Sequence, residues 1–139
     1  MAEFTGILQP LGRAWRKAAD RVVASYGLSE ATAYPVFHIV RLGDGVRQNT
    51  LAEALGIEGA SLVRLLDLLC AAELLERRED PLDRRARTLH LTEEGRKLAA
   101  RAGAALEELR REIFNEVSAE DLETSLRVFH SLGKALAER

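Results

Sequence analysis

One cysteine, three prolines and a 5% share of aromatic residues are the first things the chain is short of. Cys70 alone cannot close an internal disulfide, so stability here does not lean on an oxidising compartment. Long apolar runs are missing too. A bilayer span needs roughly 18 consecutive apolar residues, and the longest leucine-rich stretch is broken by Arg64 and Asp67. No leader of charged, apolar and small-residue segments precedes the first helix-like stretch, so the expected location is the cytoplasm, with no membrane partner. An excess of one charge is also lacking, since 20 Lys and Arg face 22 Asp and Glu for a net charge of -2. Binding of nucleic acid through total charge is thereby excluded, and any basic surface has to be local.

Catalytic constellations are absent as well. His38, His90 and His130 fall on separate predicted elements with no paired metal-ligand spacing, and Gly43 and Gly45 end a helix instead of cradling a phosphate. Neither an enzyme nor a bound metal or cofactor is expected.

What is present is a helical composition of Ala, Leu, Glu and Arg, in 139 residues with 47% hydrophobic content, enough for the core of a single domain. From Ile7 to Tyr26 apolar residues recur at spacings of three and four, which predicts an amphipathic helix with Pro10 in its first turn and Gly27 as its cap. Ser29 can cap a second helix running to about Leu42, in which Pro35 predicts a kink or a late start. "NTLAEALGI", residues 49 to 57, predicts a two-turn helix stopped by Gly56. "ASLVRLLDLLCAAELL" follows almost at once, making a helix-turn-helix. "LERRE" and "RTLHL" then read as short strands flanking "DPLDRRA", with Pro81 and Asp83 as turn residues. Helix, turn, helix and hairpin is the order of a winged helix. Thr92 caps a long helix to about Glu116 with a seam of Leu98, Ala102, Ala105, Leu109 and Ile113. Ser118 and Asp121 form a capping box that opens a last helix carrying Leu122, Leu126, Phe129, Leu132 and Leu136. Such narrow stripes on terminal helices are best covered by a second copy of the chain. The layout is a lobe at about 29–92, with dimerisation helices at about 5–26 and 93–139.

At about 100° per residue, Leu62, Leu66 and Leu69 project to one side of the second helix of the pair. Ser61, Arg64, Leu65 and Leu68 project to the other. That second face could enter a major groove about 12 Å wide, with Arg64 on a guanine edge or phosphate and the leucines on thymine methyls. Asp67 is spaced to steady the Arg64 guanidinium. A solvated surface pair, and leucines buried against another part of a dimer, are the alternatives.

"LAEALGIEGASLVRLLDLL" followed by "LLERREDPLDRRARTLHLTEEG" resembles the MarR family of bacterial transcription regulators. "GIEGASLVR" and "LGRAWR" look most like its SlyA branch. The resemblance implies a mainly helical winged helix-turn-helix with a small β-hairpin wing, dimerised through its N- and C-terminal helices and bound to pseudo-palindromic double-stranded operator DNA, most often as a repressor. It implies that residues 60 to 72 lie in the major groove and that Arg85 enters the minor groove. Asp83 would steady that arginine, while Arg84 and Arg87 touch phosphates. The family usually has a glycine after the recognition helix, where this chain has Glu73, and many members are polar at the position of Leu68. Members commonly release DNA when a small aromatic acid or phenol binds. The corresponding positions are Arg13, Trp15, Arg16, Ala33, Phe37 and His38, where an arginine beside aromatic walls would trap a carboxylate. Core packing for Trp15 and Phe37, and a dimer salt bridge for Arg13, are the plainer readings.

Two other functions fit the same elements. A winged-helix dimer can be a protein-interaction module that never touches DNA, and Cys70 could be a redox sensor. A thiol buried among leucines has a raised pKa and low reactivity, which favours packing for Cys70.

Overall fold

Three polar side chains set where helices begin. In the computed structural model, which describes residues 1–138, the Ser29 hydroxyl accepts the Thr32 amide while Thr32 Oγ1 accepts the Ser29 amide, and helix α2 (Glu30–Leu42) starts there. Thr92 Oγ1 accepts the Gly95 amide at 3.0 Å ahead of α5 (Glu93–Ile113). Ser118 Oγ accepts the Asp121 amide ahead of α6 (Ala119–Ala137). Each of these bonds satisfies an amide that the helix itself cannot.

The first helix, α1 (Ala2–Ala24), starts five residues before the predicted Ile7. Phe4 continues its apolar spacing upstream, so Pro10 lies in the third turn and not the first. Pro35 likewise neither delays nor divides α2, which runs unbroken through it with Pro35 buried. Between α2 and the wing lie β1 (Val46–Arg47), α3 (Gln48–Leu55) and α4 (Gly59–Ala71). Strands β2 (Leu75–Asp80) and β3 (Asp83–Leu91) form the wing, and the sheet order is β1-β3-β2, antiparallel throughout. Leu75 pairs with Leu91, Arg78 with Thr88, and Val46 with Leu89. The hairpin is longer and its turn tighter than predicted. Only Pro81 and Leu82 lie outside the strands, because Asp80 and Asp83 already pair across the ladder.

The chain divides into two units, Met1–Glu107 and one from Glu108 onward. The first has its core where α1, α2, α3, α4, the sheet and the start of α5 meet, with Val23, Val36, Ile39, Leu51, Leu62, Leu66 and Leu89 fully buried. Each such leucine or isoleucine contributes roughly 1.5–3 kcal/mol of transfer free energy. The predicted inward face of α4, Leu62, Leu66 and Leu69, is this core. Of the predicted α5 seam only Ala102 is buried within the unit, and it is joined there by Ala99 and Leu106 from the neighbouring positions of the helix. In the second unit no residue of α6 is buried, and Leu122, Leu126, Phe129, Leu132 and Leu136 are all exposed.

Helix α4 ends in a Schellman turn. The Leu74 amide donates to Leu69 O and the Glu73 amide to Cys70 O, which requires a left-handed residue between them. Glu73 supplies it at φ 58°, the one non-glycine residue with positive φ among those described. The glycine expected at this turn is therefore replaced without a change of geometry. Leu74 O then lies so close to α5 that a Cβ on Gly95 would come within 2.0 Å of it.

Candidate nucleic-acid interface

Helix α4 carries its outward residues unequally. Ser61 and Arg64 are exposed, Leu68 is 61% exposed, and Arg64 makes no ion pair among the described residues. Leu65 departs from the expected groove-facing role. It is half-buried and lines a cavity between α1, α2 and α4, because the 100° steps that take Leu62 inward carry Leu65 toward α1. Asp67 also has a different partner from the one expected. Its carboxylate lies 2.7 Å from Arg77 Nη2 on β2, not on Arg64. Arg77 donates further to Val63 O at 3.1 Å, so one side chain ties the recognition helix to the wing strand. The intrahelical pair lost because β2 runs alongside and offers a stiffer donor. Arg64 is left free.

The wing is built on a residue that the sequence reading passed over. Asp80, 6% exposed, accepts the Leu82 amide with Oδ1 at 2.8 Å and Arg47 Nε with Oδ2 at 2.7 Å. These donors, the Leu82 amide first, hold its carboxyl below the usual aspartate range against the opposing effect of burial. The Asp-Pro dipeptide was the available signal, since aspartate before proline favours turn initiation. Asp83 orients Arg85 through the backbone, its Oδ1 accepting the Arg85 amide at 3.0 Å, and not through the guanidinium. The side chains of Arg84 and Arg85 are exposed with no ion pair among the described residues. Arg87 is engaged by Glu79 at 3.2 Å across the ladder, an exposed pair that water and phosphate can exchange.

A polar cleft of about 360 Å³ joins these elements. It brings Gly59 at the start of α4 and Gln48 and Asn49 at the start of α3 beside Arg85 and Arg87. The N-cap positions of both helices, Arg47 and Glu58, make no side-chain cap bond. The Thr50 amide of α3 is taken by Asn49 Oδ1 at 2.9 Å, and the other amides at the positive ends of these two helix dipoles, next to the free Arg85 guanidinium, suit phosphate oxygens.

Of the positions tied to a small acid, Trp15, Arg16 and His38 do converge, on a cavity of about 530 Å³ also lined by Glu30, Tyr34 and Leu65. The others do not. Arg13 is exposed outside it and Ala33 is buried in the core. Phe37 faces a separate cavity of about 580 Å³ with Val40, Leu91 and Ala99. Tyr34 and His38 form one stripe of α2 and Ala33 and Phe37 the adjacent one, so the six positions could not share a wall. Burial raises the Glu30 carboxyl, opposed by a hydrogen bond from Tyr34 and by the Arg16 charge. Burial lowers the His38 imidazole, helped by Arg41, whose Nη2 is 3.1 Å from Nδ1.

His90 is half-buried on β3, with Nε2 3.0 Å from Thr88 Oγ1. Cys70 is half-buried at the end of α4. Burial pushes its thiol up, Arg77 opposing and Asp67 reinforcing. Among the described residues no three metal-binding side chains cluster, and no helix is long and apolar enough to cross a membrane.

The sequence profile of the MarR family matches residues 26–86, from just after α1 to Ala86 in β3, which takes in Arg84 and Arg85 of the wing. The solved transcriptional regulator PA3341 is 31% identical, covers 98% of this chain and 99% of its own, and superposes with a TM-score of 0.87. MepR of S. aureus, solved as a DNA complex, shares the fold at TM-score 0.89, with 21% identity over 96% of this chain and 97% of that one. CouR from Rhodococcus jostii RHA1, solved with p-coumaroyl-CoA, does so at 0.80, with 21% identity over 91% and 88%. Near one-third identity over the full length of PA3341, with the winged helix in the same places, leads to one conclusion: the chain belongs to the MarR family of transcription regulators.

Proposed function

We propose that the protein is a sequence-specific double-stranded DNA-binding regulator of the SlyA-like kind. It acts as a homodimer on a pseudo-palindromic operator, as a repressor released by a small aromatic or phenolic acid. The observation that carries DNA binding is the cleft that gathers Gly59, Gln48, Asn49, Arg85 and Arg87, with Arg64 and Arg84 exposed on the same helix and wing strand that supply Gly59 and Arg85. In a protein of net charge -2, this is a local cationic surface with one helix face standing out of it. Ser61, Arg64 and Leu68 read base edges in the major groove, Arg85 enters the minor groove, and Arg84 and Arg87 hold phosphates. MepR, of the same fold, was solved on DNA, which supports this reading. The exposed apolar stripe of α6 supports the homodimer.

For the effector, the cavity of Trp15, Arg16, Tyr34 and His38 offers a guanidinium for a carboxylate beside aromatic rings, with the recognition helix forming part of its wall through Leu65. Binding there need only favour a spacing of the two recognition helices other than one turn of DNA, about 34 Å.

Salt dependence of binding to operator-containing DNA tests the central claim. A steep fall in affinity with salt is expected, whereas a protein-interaction module would show almost none. Arg85→Ala should weaken binding to all sequences, and Arg64→Ala should change the preference among them. Full affinity in both variants refutes the assignment. Trp15 is the single tryptophan, so quenching of its fluorescence by salicylate or 4-hydroxybenzoate, lost in Arg16→Ala, tests the cavity directly.

A further inference from the structure

The tip of the wing is not only basic. Leu82 stands there 91% exposed, in a two-residue turn, between a proline and an aspartate. It is also held upright. Pro81 fixes its own φ, the Leu82 amide is bound to Asp80 Oδ1 at 2.8 Å, and Asp80 is anchored to Arg47 on β1. A leucine on a loose loop could fold back onto the surface, but this one is kept in water by a turn clamped at its base.

We propose that Leu82 is an apolar wedge that enters the minor groove beside Arg85 and partly unstacks one base step. The inference rests on the DNA-binding reading above and adds a second specificity element to it. Arg84 and Arg85, exposed and without ion pairs among the described residues, bring the tip to the polyanion. Charge alone gives no work for the leucine. A minor groove about 6 Å wide admits side chains but not a hairpin whose strands are about 4.8 Å apart before side chains are counted, so the outermost side chain of the tip goes in first. Apolar residues inserted at such a place unstack the step they touch, and the cost is least at TA and CA/TG steps. Because the turn is already ordered, little conformational freedom is lost on insertion. The selectivity follows at bases that Arg85 does not read: wing-contacted flanks should prefer a flexible pyrimidine–purine step.

The test uses the full chain and duplexes selected by it from a random pool, with 2-aminopurine placed in turn at each flanking step. The wild type should raise the fluorescence at one step in each flank. Leu82→Ala should abolish that rise and weaken binding about fivefold, while Leu82→Ile keeps both. Substitution at so exposed a position leaves the fold intact, which circular dichroism checks. Wild-type binding with the rise and affinity unchanged in Leu82→Ala overturns the wedge alone. A wild type that binds no duplex in a salt-dependent way overturns the DNA-binding reading, and the wedge with it.

Discussion

Asp80 and Arg47 are 33 residues apart in sequence and 2.7 Å apart in the fold. This pair ties the tip of the β2–β3 hairpin to the short strand that leads into α3, so the wing and the helix-turn-helix share one rigid frame. The aspartate also accepts the Leu82 amide, and its folded pKa lies below the ordinary 3.8.

A group whose pKa is lowered by folding stabilises the fold at pH above its unfolded value and loses that contribution as pH falls through the folded one. Asp80→Asn should therefore lower Tm at neutral pH, and the gap to wild type should close only below pH 3.8. Thermal melts from neutral pH down to about pH 2 read this. A gap of constant size throughout would show that Asp80 acts by shape and not by charge.

Glu73 occupies the left-handed position that closes α4. A side chain there costs about 1 kcal/mol that glycine does not incur. Glu73→Gly should raise unfolding stability by about that amount in urea melts, and an unchanged or lower midpoint would mean that the glutamate side chain contributes something the turn geometry does not require.

Gly95 tolerates nothing larger. A Cβ at this position would lie 2.0 Å from Leu74 O, a backbone atom held by the Thr92 amide at 3.1 Å. Gly95→Ala should cost about 3 kcal/mol as the α5 start is pushed off the α4–β2 connection. A loss below about 0.5 kcal/mol in the same urea melts would show that this contact relaxes freely.

Glu79 holds Arg87 at the edge of the proposed interface. Removing the carboxylate frees a guanidinium and takes one negative charge from the DNA face. Glu79→Gln should tighten non-sequence-specific duplex binding about threefold at low salt and steepen the salt slope. Stability should change by less than about 0.5 kcal/mol, since the pair is exposed. Equal affinity for the two proteins in a fluorescence-anisotropy titration would remove Arg87 from the phosphate contacts.

Local signals were legible without a structure. The caps at Ser29, Thr92 and Ser118, the stops at Gly27, Gly43 and Gly56, and the inward stripe Leu62, Leu66 and Leu69 all follow from bonds and spacings within a few residues. The order of helices and hairpin, and with it the winged helix, is the sum of such short-range preferences. Pro35 misled because one missing amide is outweighed when the apolar residues on either side are buried, as Ala33, Val36 and Ile39 are, and Pro10 because α1 begins at Ala2, upstream of the predicted start. Partner choice among side chains belonged to the tertiary structure. Periodicity could place Asp67 near Arg64 but could not know that β2 would bring Arg77 within 2.7 Å of it. It put Leu65 on the outer face of α4, and only the packing of α1 across that face made it the wall of a cavity. The family resemblance linked Asp83 to Arg85, and only the fold showed that the contact runs from the Arg85 amide to Asp83 Oδ1. Spacing within one element is fixed by its own dihedral angles, whereas a contact between elements depends on how all of them pack.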